Sequence, residues 1–172
     1  MRMLFNLDAK NYDLNGNVLV RPSARAIIIK DKKIYMVHSL KYDYYKFPGG
    51  GIDEGESKID ALIRETKEEA GLIVIPESIK EFGQVHRIQK GVRFNCDTFI
   101  QDNYYYLCEV IDGVFSQDLD DYEADESFTL ELIDYKKAIE ANRKPEHGPK
   151  DPIMIEREAK VLEILADEGF FA

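Results

Sequence analysis

Three glutamates, Glu65, Glu68 and Glu69, fall in a stretch whose apolar residues recur at helical spacing. Residues three and four apart on a helix are surface neighbours, so the Glu65 carboxylate lies beside those of Glu68 and Glu69. Like charges so placed destabilise an isolated helix. A divalent cation removes the repulsion, and hard carboxylate oxygens suit magnesium, with manganese as the alternative. A metal held this way polarises phosphoryl oxygens and lowers the pKa of a bound water. Arg64 stands four residues before Glu68 and can pair with it or with Glu56, which would hold the carboxylates in orientation. The competing explanation is a solvated helix face, the usual fate of a lone Lys-Glu-Glu run.

The cluster needs a helix with defined ends and a scaffold that aims it. Ile59, Leu62, Ile63, Thr66 and Ala70 form the apolar stripe, Ser57 and Asp60 resemble a capping pair, and Gly71 is a stop signal. These predict a helix over roughly residues 57–70. Before it, Pro48-Gly49-Gly50-Gly51 predicts a tight loop. Ala24 to Lys30 and Ile34 to His38 read as a central hairpin turning at Asp31-Lys32-Lys33. Residues 72–75, 80–90, 98–111 and 127–133 read as further strands. A helix is expected from Asp134 to Ala141, and a terminal helix over about residues 152–168 after a breaker-rich loop. Residues 1–20 read as a turn-rich N-terminal flap, and the acidic run from Asp118 to Glu126 as a mobile surface loop.

From Gly50 to Leu72 the chain reads GGIDEGESKIDALIRETKEEAGL. This resembles the Nudix box, G-x5-E-x7-R-E-U-x-E-E-x-G-U with U aliphatic, at Gly50, Glu56, Arg64, Glu65, Glu68, Glu69, Gly71 and Leu72. Thr66 departs from the pattern, although its methyl can still pack inward. Agreement spread over so long a segment outweighs the solvated-face reading. The resemblance implies an α/β protein with the Nudix fold, an α/β/α sandwich around a central mixed sheet, in a single domain over residues 1–172. It implies magnesium on Glu65, Glu68, Glu69 and the Gly49 carbonyl, with Gly50 and Glu56 as structural support. Glu65 and Arg64 join the catalytic machinery, and a further acidic residue beyond the box, Glu126 in preference to Glu123, completes it. The general base is then Glu65 or Glu126. Of Arg21, Arg25, Arg87 and Arg93, Arg25 is the choice for substrate phosphates. Of Tyr42, Tyr44 and Tyr45, Tyr45 is the choice for substrate contact. His38, His86 and His147 read as structural or surface residues.

The bulk properties bound the substrate. A chain of 172 residues, 44% hydrophobic and 33% charged, fits one globular domain. Its net charge of −10 argues against general affinity for nucleic acid duplexes. A small nucleotide bridged through metal remains compatible with it. The two cysteines, Cys96 and Cys108, lack metal-ligand spacing. No apolar run would span a bilayer and the first residues do not resemble a signal peptide, so a cytoplasmic protein without a membrane partner is expected. The expected reaction is hydrolysis of a phosphoanhydride bond in a nucleoside diphosphate linked to a further group. A nucleoside triphosphate is the first choice, because the box comes early and leaves little room for a large preceding extension. ADP-ribose, nucleotide sugars and dinucleoside polyphosphates are the alternatives, and a non-catalytic nucleotide-binding regulator is the alternative of another class. The flap and the terminal helix leave a homodimer open.

Overall fold

The computed structural model describes residues 1–172. Its strands are β1 (Met3–Asp8), β2 (Val18–Val20), β3 (Ser23–Ile27), β4 (Ile29–Lys30), β5 (Lys33–Ser39), β6 (Tyr44–Lys46), β7 (Gly49–Gly51), β8 (Lys80–Gln89), β9 (Thr98–Leu107) and β10 (Phe128–Ile133). Its helices are α1 (Lys58–Ala70), α2 (Asp121–Asp125), α3 (Tyr135–Asn142) and α4 (Pro152–Asp167). The larger sheet is mixed, in the order β1-β8-β9-β3-β7 with β2 beside β9. A smaller antiparallel sheet has the order β10-β5-β4 with β6 on β5. Helix α1 packs on β3 and β7, while α3 and α4 pack on each other and on β6. Helices therefore flank the sheets, as an α/β Nudix fold requires. None of them is long and apolar enough to cross a membrane.

Helix α1 begins and ends where its sequence dictates. The Ser57 Oγ accepts the Asp60 N–H at 3.0 Å, and Gly71, at φ 66°, donates its N–H to the Lys67 carbonyl. The left-handed cap needs a residue without a Cβ. Below the helix, Ala61, Leu62 and Ala70 join Val37, Tyr44, Leu72 and Phe128 in one apolar cluster. A second cluster packs Val161, Leu162 and Leu165 of α4 onto Ile34, Phe47 and Tyr105. Between them these clusters fix α1, the glycine loop and α4 around a common cleft.

Several expectations need correction. The N-terminal segment is no flap: β1 runs parallel to β8 and β2 parallel to β9. Leu4, Phe5 and Leu7 pack against the second cluster and anchor β1 there, which outweighs the turn-forming residues between the two strands. The central hairpin divides between sheets. Only β4 pairs with β5, whereas β3 pairs with β7 and β9. Residues 72–75 form no strand, only a bridge from Val74 to Val110. The acidic run carries α2, whose cap Asp120 accepts from the Tyr122 and Glu123 N–H groups while Glu123 reaches back to the Asp120 N–H. A reciprocal capping box orders a segment that charge content alone marks as mobile.

Candidate active site

Helix α1 presents its carboxylates beside the glycine loop. Arg64 is the hub: its Nε and Nη2 reach the two Glu56 oxygens at 2.8 Å each, and Nη1 reaches Glu65 at 2.7 Å and Glu68 at 3.1 Å. Nη2 also donates to the Gly51 carbonyl, which ties the loop to the helix. Arg64 and Glu56 are thereby paired with each other beside the loop. The arginine's hydrogen bonds hold the Glu56 carboxyl down at about 2. Glu65 Oε1 is engaged by Arg64, while Oε2 lies where a Cβ on Gly50 would sit, 2.1 Å from that point. Gly50 is thus the space that Glu65 occupies.

Glu69 is 1% exposed and lies against the same loop, at Gly49. Its Oε1 accepts the Gly49 N–H at 3.2 Å. Its Oε2 meets the buried Lys46 ammonium without the alignment of a hydrogen bond. Burial pushes the Glu69 carboxyl up to about 7, against the pull of Lys46 and Arg25. The Gly49 carbonyl accepts from Arg25 Nη1 at 2.6 Å. No three acidic, histidine or cysteine side chains close into a finished metal cage. The donor set still fits a hard divalent cation: the Glu65 and Glu69 carboxylates and the Gly49 carbonyl adjoin one loop, Glu68 is tied to Glu65 through Arg64, and a buried carboxylate oxygen lacks a hydrogen bond.

A cleft of about 360 Å³ opens over Glu65 and Gly50. Seven basic and six acidic side chains line it, on a chain of net charge −10. Arg25 and Arg87 reach it from the larger sheet, Lys46 from β6, Lys150 from the loop before α4, and Arg157 from α4. Arg87 sits 6% exposed among Gln101, Asp151 and the Phe99 ring. Burial, with Arg157 and Arg25 nearby, lowers its pKa to about 9. Phe94 stacks on Phe99 with centroids 5.4 Å apart, and the Arg93 guanidinium lies 3.7 Å over Tyr122. The far wall therefore offers flat apolar faces alongside cations.

The expected residues divide on this map. Glu65, Arg25, Gly50 and Glu126 line the cleft. Tyr45 does not: it stacks on His38 at 4.1 Å and donates its hydroxyl to Glu131. Its neighbour Tyr44 faces the cleft instead, because successive strand residues point to opposite sides. Glu126 is 3% exposed and fully engaged, accepting from Ser39 at 3.0 Å, from the Tyr44 hydroxyl at 2.8 Å and from Lys150. Lys46 and Lys150 escaped the sequence reading. Lys46 was within reach of it, two residues from Tyr44 on the same strand face, whereas nothing local marks Lys150 as close to Glu126.

Comparison with known proteins identifies the family. The family model of the NUDIX domain matches residues 19–153. An RNA pyrophosphohydrolase of Ruthia magnifica subsp. Calyptogena magnifica is 45% identical over 66 residues, 38% of this chain and 33% of that protein. One of Nitratiruptor is 43% identical over 68 residues, 36% of this chain and 43% of that protein. These matches span less than half the length of the relatives. Among solved structures, the MutT described from Aliivibrio salmonicida and Vibrio cholerae aligns with a TM-score of 0.57 at 17% identity, covering 87% of this chain and 99% of that one. A NUDIX hydrolase from Nitrosomonas europaea aligns with a TM-score of 0.55 at 19% identity, covering 74% and 82%. With the box on α1, the glycine loop before it and a family match over most of its length, the chain belongs to the NUDIX domain family.

Proposed function

We propose that the protein is a magnesium-dependent hydrolase that cuts a phosphoanhydride bond in a nucleoside diphosphate linked to a further group, with a nucleoside triphosphate as first substrate. The observation that carries this reading is the placement of Glu65 at a cleft lined by seven basic side chains and by aromatic rings. Arg25 and the arginines of the far wall match phosphate oxygens, and the Phe94–Phe99 stack with Arg93 matches a flat base. When bound, the metal would supply charge neutralisation on the phosphates and an acidified water. Glu65, Glu68, Glu69 and the Gly49 carbonyl would hold it. Positioning by these groups does most of the work in such a displacement.

Of the two candidate bases, Glu65 is better placed. Its Oε2 accepts from no protein donor, whereas both oxygens of Glu126 are taken. Glu126 instead holds Lys150 over the cleft. The relatives named RNA pyrophosphohydrolase bring in a second substrate class, RNA that carries a pyrophosphate linkage, the same type of bond as in the first. A panel of nucleoside triphosphates, ADP-ribose, dinucleoside polyphosphates and triphosphate-ended RNA, resolved by product, tests the reading. Release of pyrophosphate or phosphate with magnesium, lost with chelator and in Glu69→Gln, is the expected result. Full turnover of Glu69→Gln would exclude the metal site, and silence across the panel would favour a nucleotide-binding regulator.

A further inference from the structure

Two of the oxygen donors at the glycine loop, Glu69 Oε2 and the Gly49 carbonyl, already face cations of the chain itself. The Lys46 ammonium contacts Glu69 Oε2, and both side chains are buried, at 7% and 1% exposure. Arg25, 8% exposed, caps the Gly49 carbonyl, and no carboxylate pairs with it. Its Nε has no partner at all. Two single positive charges thus sit on two of the groups to which a doubly charged ion would bind. A buried carboxylate without a counterion is costly, so these cations keep Glu69 oriented while no metal is present. They cannot keep the same positions once it arrives, because a divalent cation and an ammonium repel strongly at low dielectric. Both side chains also line the cleft, where an anionic group is the natural new partner.

We propose that Lys46 and Arg25 are positioning residues that stand in for the metal ion at Glu69 and Gly49, and that metal loading turns them towards the anionic substrate. The second half rests on the proposed phosphate-bearing substrate; the first does not. Because linkage is reciprocal, drawing Lys46 and Arg25 to substrate also strengthens metal binding.

The test is direct titration with Mn²⁺ alone, followed by the paramagnetic resonance signal of the free ion at pH 8, with no nucleotide present. Glu69→Gln should abolish the tight site, which locates it. Lys46→Met should bind Mn²⁺ more tightly, by about threefold to tenfold, because the competing charge is gone. Lys46→Arg, which keeps the charge, should stay near wild type. Arg25→Gln should shift affinity in the same direction as Lys46→Met and covers the case in which Lys46→Met does not fold. Unchanged or weaker binding in a folded Lys46→Met or Arg25→Gln protein overturns the stand-in role. The movement towards substrate is read separately, as a rise in KM exceeding the fall in kcat for Lys46→Met with a nucleoside triphosphate; a KM that stays put overturns it. If no triphosphate is hydrolysed by wild type, the substrate reading falls while the Mn²⁺ titration still decides the stand-in role.

Discussion

Thr66 lies wholly buried on the inner face of α1, and its Oγ1 has no hydrogen-bond partner. The methyl packs inward as expected, but the hydroxyl is carried into the core at a cost. Thr66→Val keeps the shape and removes the orphan, so it should stabilise the protein by about 1 kcal/mol. Chemical denaturation read by its midpoint, with an unchanged slope, checks this. The glycines of the loop separate two kinds of damage. The atoms nearest to a Cβ on Gly50 would be those of the Glu65 carboxyl, the closest 2.1 Å away. Gly50→Ala should therefore displace the carboxylate, lowering turnover by about tenfold or more with little change in melting temperature. Gly49 has φ 134°, and its Cβ would lie 2.1 Å from the Ala24 carbonyl. Gly49→Ala should therefore unfold more readily, by about 2 kcal/mol. Equal losses of stability in the two variants would contradict this division.

Among the elements, α1 was legible because every signal for it is local: a cap, an apolar stripe and a terminal glycine within one segment. The box glutamates and Arg64 inherited that legibility. Tyr45 did not, because choosing among adjacent tyrosines depends on strand parity, and a shift of one residue turns each side chain to the other face. β1 and β2 were missed because what recruits them lies at residues 84–88 and 98–100, far along the chain. The division of β3 from β4 is likewise set by partners in two different sheets. α2 was hidden by its charge, although Asp120 and Glu123 do stand at capping-box spacing. Asp120→Ala should cost about 1 kcal/mol. Hydrogen exchange should place the lost protection in residues 121–126; uniform loss across the chain would mean that the cap does not hold this helix.

At the scale of the molecule, charge is unevenly shared. The cleft holds more basic than acidic side chains, so the surplus of negative charge lies on the remaining surface. Sequence composition gives the total but not this partition, which exists only once strands and helices converge. β1 has a comparable standing among the strands. It covers residues 84–88 of β8, and Arg2 secures it through the Phe82 carbonyl and Glu168. Left uncovered, that stretch would offer a row of unpaired amides and carbonyls to any other extended chain. The first eight residues are therefore expected to insulate this stretch of β8 against self-association. A chain truncated before Ala9 should retain its box helix and yet elute in gel filtration as oligomers that grow with concentration; a monodisperse truncated protein of unchanged assembly state would show that β8 needs no such cover.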